Sequence, residues 1–184
     1  GSGPALYAGG SFVTAGGVTA NSIAKWDGTS WSALGSGMNS QVNALTVFDD
    51  GSGPALYAGG LFTSAGGAAA VRIAKWDGTS WSPLGSGMSN PVADLKVYDD
   101  GSGPALYAGG QFGTAGGVPA NSIAKWDGSA WSELGSGVII GPVVALTGFD
   151  DGSGPALYAG GNFNVAGGVA ANNIAKWNGA RWSA

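Results

Sequence analysis

The chain contains no cysteine and no histidine. That removes disulfides, thiolate nucleophiles, imidazole bases and the usual zinc ligand sets. Charge is scarce as well: seven basic and eleven acidic residues among 184, for a formal net charge of −4. A chain so poor in Lys and Arg cannot build the basic face that phosphate contacts require, so no nucleic-acid partner is expected. Glu133 is the only glutamate, and apart from Asp94 every aspartate falls in an Asp-Asp or Asp-Gly pair. No apolar run approaches the roughly 20 residues of a membrane helix. The opening Gly1-Ser2-Gly3-Pro4 lacks the charged and apolar regions of a signal peptide, so no membrane partner is expected.

Glycine is what the chain has most of, 37 residues, alongside eight prolines and eight tryptophans. Gly and Pro at this frequency suggest low complexity, but 44% hydrophobic content supplies a core. The glycines are distributed with a period. Gly-Ser-Gly-Pro-Ala-Leu-Tyr-Ala-Gly-Gly begins at Gly1, Gly51, Gly101 and Gly152, which divides one continuous segment, 1–184, into repeats 1–50, 51–100, 101–151 and 152–184. The extra residue of the third repeat lies within Val138–Pro142. Residues 1–37 and 101–137 differ at only six positions. Identity this close points to recent duplication, to symmetrisation by design, or to both.

Each period reads as four short strands. Val42–Phe48 alternates and ends in Asp49-Asp50-Gly51-Ser52-Gly53-Pro54, a stretch rich in turn formers. Ala55–Ala58 is a short apolar strand closed by Gly59-Gly60. After a Gly-rich connection at Ala65-Gly66-Gly67 comes Arg72–Trp76, then the hairpin signal Asp77-Gly78, then Ser80–Leu84. Nothing has helical period or length. The expectation is an all-β fold, a β-propeller of four-stranded antiparallel blades.

Leu56-Tyr57-Ala58-Gly59-Gly60, Ile73-Ala74-Lys75-Trp76-Asp77-Gly78 and Trp81 carry a resemblance to the kelch repeat. The same residues resemble glycine-rich propeller repeats of exported bacterial proteins, which is the only pointer to an extracellular location. The resemblance implies four kelch-like blades and says nothing about activity. The connection after Gly-Gly is tighter and less polar than in kelch proteins. A WD-repeat alternative is weakened by the missing His. On this register the first blade lacks its innermost strand, giving 15 strands rather than 16. An open edge invites another chain. The preferred closure is a homodimer forming an eight-bladed ring; a four-bladed ring, a piece of a longer ring and a nine-bladed relative stay open.

Candidate chemistry is sparse. The Asp-Asp-Gly-Ser-Gly stretches at Asp49, Asp99 and Asp150 could hold Ca²⁺, but the residue types fit turns better. Asp27-Gly28, Asp77-Gly78, Asp127-Gly128 and Asn178-Gly179 look like an Asp-box, yet the following Trp is four residues on where that motif needs five. The tryptophans Trp26, Trp31, Trp76, Trp81, Trp126, Trp131, Trp177 and Trp182 could stack on sugars; their recurrence at one blade position points instead to packing between blades. Lys25, Lys75, Lys125 and Lys176 suggest a cation–π or edge-protecting role. The Gly-Gly doublets are read as permitting tight turns. Positions where repeats differ are the ligand candidates: Asn21, Asn121 and Asn172 in one loop, and Asn43 and Asp94, with Val144, on the innermost strands. No catalytic residue, metal site or cofactor is expected. The function expected is a non-catalytic, self-assembling structural module; the alternative is a propeller that binds a carbohydrate or a protein.

Overall fold

The computed structural model describes residues 5–139 and 141–184. It is all-β, with no helix among the described residues, and consists of small antiparallel sheets that recur with the sequence period. In the second sheet Val42–Asp49 pairs with Pro54–Gly60, which pairs with Ile73–Trp76, which pairs with Trp81–Pro83. The third sheet repeats this order with Val92–Asp99, Pro104–Gly110, Ile123–Trp126 and Trp131–Glu133. The fourth does so with Val143–Asp150, Pro155–Gly161, Ile174–Trp177 and Trp182–Ser183. The first sheet has three strands, Leu6–Gly9, Ile23–Trp26 and Trp31–Ala33.

Two features of the strands differ from the sequence reading. The Gly-rich connection is itself a small hairpin, Ser64–Ala65 against Ala68–Ala69. Its central Gly66 and Gly67 both take positive φ, 61° and 85°, which a two-residue hairpin turn of this hand requires. The Gly59-Gly60 doublet, read as a turn, instead continues the strand with no left-handed φ. Its glycines are needed for close approach: a Cβ on Gly60 would lie 2.2 Å from the Gln41 carbonyl, and one on Gly59 2.5 Å from Val92. The third strand begins at Ile73 rather than Arg72, because Arg72 sits at φ 64°.

The core lies between repeats rather than within them. Ile23 of the first repeat is buried with Leu56, Ala58, Phe62, Ala74 and Trp81 of the second. Tyr57 and Ile73 of the second are buried with Leu106, Ala108, Phe112 and Trp131 of the third. Tyr107 and Ile123 of the third are buried with Leu157, Ala159, Phe163 and Trp182 of the fourth. The second and third sheets therefore each contribute one face to the junction before and the other to the junction after. The Trp pairs (Trp76 with Trp81, ring centroids 5.2 Å apart) lie along the outer two strands. Trp81, Trp131 and Trp182 are buried and donate their indole N–H across a junction to the carbonyls of Leu34, Leu84 and Leu134. Trp177 is buried too, whereas Trp26, Trp31, Trp76 and Trp126 are partly covered.

Candidate functional site

The most developed polar constellation recurs at one end of the second, third and fourth sheets. In the turn that leaves Val42–Asp49, the Asp49 carboxylate accepts the backbone N–H groups of Gly51 and Gly53 at 2.9 and 3.0 Å. That folds the chain back and turns Asp50 toward the sheet. One Asp50 oxygen accepts the Ser52 N–H and hydroxyl; the other accepts the Tyr57 hydroxyl at 2.7 Å and the Lys75 ammonium at 2.5 Å. Strand register makes this meeting possible, since Lys75 stands directly opposite Tyr57. Lys75 Nζ lies 5.8 Å from the Tyr57 ring centroid and also donates to Ser52. The cation–π geometry is thus present, but the ion pair to Asp50 is what the sequence reading missed. An edge-guarding role does not fit Lys75, because Trp81–Pro83 is the outer strand.

Asp100, Ser102, Tyr107 and Lys125 reproduce the cluster, as do Asp151, Ser153, Tyr158 and Lys176. Burial disfavours the Asp50 and Asp100 carboxylates. Hydrogen bonds from the lysine, serine and tyrosine outweigh it and hold both well below the usual carboxylate range. At the more exposed Asp151 the Lys176 contact is the leading influence, again downward. Burial first, then the neighbouring Asp, pushes the Tyr57 and Tyr107 phenols up, so they stay protonated donors. Both oxygens of the Asp50 carboxylate are occupied by donors from its own sheet and the turn that leads into it. Chemically the cluster is a closed network that pins a turn to a sheet.

The Asp-Gly loops are turns of a similar kind. Asp27 is exposed and accepts the backbone N–H groups of Ser30 and Thr29 and the Thr29 hydroxyl, which together depress its pKa. The strands it joins pair at Trp26 and Trp31, so the hairpin spans four loop residues.

The ligand candidates are placed as follows. Asn43 sits at the bulge of its strand and donates to the Val92 carbonyl of the next long strand at 2.7 Å. Val144 occupies the equivalent bulge in the fourth sheet, but Asp94 is one residue further along its strand. Its carboxylate accepts Leu95 N–H at 2.8 Å and Leu146 N–H at 2.7 Å, linking the long strand of the third sheet to that of the fourth. Asn21 and Asn121 each donate to a linker carbonyl, Ser36 and Ser136, at 3.0 Å. Asn172 is exposed. The structure does not gather these residues into one site.

A cleft of about 770 Å³ does open between the first two repeats, lined by Ser11, Phe12, Asn21, Ser22, Met38 and Gln41 among others. Ser22 leaves room there. At the same point of the next repeat stands Arg72, whose guanidinium crosses to the Met88 carbonyl at 2.9 Å.

No protein-family profile matches the chain, and no curated protein or solved structure is detectably similar to it.

Proposed function

We propose that the chain is a non-catalytic β-propeller module whose work is assembly, two copies joining head to tail into an eight-bladed ring. The observation that carries this reading is an unequal burial of equivalent residues. Ile23, Ile73 and Ile123 are 0% exposed because the next repeat covers them, whereas Ile174 of the last repeat is 55% exposed. At the other end Leu6 is 61% exposed, against 0–5% for Leu56, Leu106 and Leu157. One end of the chain thus carries the trailing half of a junction core and the other end the leading half. Three internal junctions already demonstrate that such halves fit. Joining them across a two-fold axis creates two further junctions and no free ends. Full burial of each Ile or Leu contributes about 1.5–3 kcal/mol. The bonds from Asn43 to Val92 and from Asp94 to Leu146 set the long strands side by side in chain order, as expected of strands around a common axis.

Light-scattering mass after size exclusion tests the ring. A mass near twice 17.9 kDa, reduced to one chain by Ile174→Asp, supports it. A wild-type monomer at micromolar concentration overturns it.

A second reading, a module for neutral sugars, draws on the first-junction cleft, where hydroxyls and amides surround Phe12 and Met38 without a charged side chain. Saccharide titration of wild type against Ser22→Arg, which would fill the cleft, decides it.

A further inference from the structure

One position distinguishes the three junctions. Ser22, Arg72 and Ser122 occupy it in the first, second and third repeats, at φ 61°, 64° and 62°. At the second junction the Arg72 guanidinium crosses to the Met88 carbonyl at 2.9 Å. No carboxylate among the described residues pairs with it, so a carbonyl oxygen and enclosure are enough to hold the cation. At the third junction Ser122 donates to the carbonyl of Gly141, within the stretch that carries the extra residue. At the first junction neither device is present, and the cleft stands open. Ser22 lines it and is only 7% exposed, yet among the described residues its hydroxyl has no hydrogen-bond partner. The Met38 carbonyl, counterpart of the Met88 one, likewise accepts no bond from the described residues. Asn21, where the second repeat has Val71, donates its amide nitrogen to Ser36 and leaves its oxygen for another donor.

We infer that the first-junction cleft is a binding site for an alkylguanidinium, the head group of arginine. The second junction is the precedent within the same chain, since Arg72 places this group against the equivalent carbonyl. In the first cleft the ligand donates to the Met38 carbonyl, and the Ser22 hydroxyl and the Asn21 amide oxygen accept further N–H groups. A planar guanidinium carries several donors in a fixed fork and serves these acceptors together; a compact, strongly hydrated ammonium does not. No charged side chain lines the cleft, so donor geometry selects the ligand rather than ion pairing. Leu61, 43% exposed, gives the methylene stem an apolar wall. The assignment depends neither on ring closure nor on the sugar reading, which draws on the uncharged lining of the same cleft.

The test titrates the whole 184-residue protein with N-acetyl-arginine amide. NMR amide shifts at Asn21, Ser22 and Met38 should saturate at one equivalent per chain, with roughly millimolar affinity. The lysine analogue and the neutral citrulline analogue should each bind at least about tenfold more weakly. Ser22→Arg, which supplies the guanidinium from the chain itself, should abolish binding. Arg72→Ser should add a second site with shifts at Met88, weaker for having Val71 in place of Asn21. Serine already holds this backbone conformation at positions 22 and 122, so that variant keeps the fold. A blocked Gly-Gly-Arg-Gly-Gly peptide run alongside identifies the source: equal affinity assigns recognition to the head group alone, and tighter binding adds a polypeptide main chain. Absence of saturable shifts, equal binding by the citrulline analogue, or no second site in Arg72→Ser would each overturn the inference. Saccharide binding with an inert arginine probe would overturn it and leave the sugar reading standing; the converse result would do the opposite.

Discussion

The indole N–H of Trp81 donates to the carbonyl of Leu34 at 3.0 Å, a bond between residues 47 apart in sequence that crosses the junction of the first and second repeats. Trp131 and Trp182 make the same bond at the later junctions. Trp31, at the same position of the first repeat, is only partly covered. Trp81→Phe should therefore lower unfolding free energy by about 1–3 kcal/mol, from the lost cross-junction hydrogen bond and the lost volume; the Leu34 carbonyl keeps its bond from Gly37 N–H. Trp31→Phe should cost less than half of that. Urea denaturation of the two variants measures the difference, and equal effects would detach the bond from junction stability.

The Asp–Lys–Tyr clusters give stability a pH dependence with a definite sign at each end. The Asp50 and Asp100 carboxyls ionise more readily folded than unfolded. Their contribution is complete above the unfolded value of about 3.9 and is lost as pH falls through the depressed folded values. Tyr57 and Tyr107 behave oppositely, with folded values raised. Their contribution is complete below the unfolded value of about 10 and is lost as pH rises beyond it. Tm should be flat between about pH 5 and 9 and decline on both sides. Asp50→Asn should cost about 2 kcal/mol at neutral pH and shrink the acid limb. Asp151→Asn should cost less, because the Asp151 side chain is 41% exposed against 9% for Asp50. A rise in Tm on acidification through pH 4 would contradict the assignment.

The period, the all-β class and the strands of each sheet were readable because alternation and turn residues are local signals. The 15 expected blade strands are the strands of the three four-stranded sheets and the three-stranded one. The hairpin at Gly66-Gly67 escaped, since strands of two residues carry no alternation to detect. The Asp50–Lys75 pair escaped as well. The two residues are 25 apart, and only the Tyr57–Lys75 register brings them together. That Asp94 links two sheets was likewise invisible, because it depends on the bulge that shifts the register between Val92 and Asp94.

Ser22 is held at φ 61°, a left-handed conformation that a side chain disfavours. Its backbone bonds to Gly10 and Phe12, at 3.0 and 2.8 Å, do not involve the side chain. Ser22→Gly should raise stability by about 0.5–1 kcal/mol, relief of strain exceeding the added freedom of the unfolded chain. Arg72→Gly, at φ 64°, should gain less because it also removes the bond to Met88. Paired thermal melts read the two values, and destabilisation by Ser22→Gly would show that the position is not strained.

Gly28 and Gly78 form a matched pair that isolates ring closure from backbone strain. Both have φ 102° and nothing within 4 Å of a Cβ placed there, so Ala substitution carries the same backbone penalty at each. Their counterparts differ: a Cβ on Gly128 would lie 2.8 Å from the Asp50 carbonyl of the preceding sheet, and one on Gly179 2.3 Å from that of Asp100. In a head-to-tail ring the carbonyl facing Gly28 belongs to Asp151 of the second copy, whereas Gly78 lies away from the new junctions. Gly28→Ala should therefore weaken the dimer by at least about tenfold, on the scale of overpacking, and Gly78→Ala should leave it intact. Sedimentation equilibrium on both variants measures the difference, and a dimer equally tight in both overturns the ring.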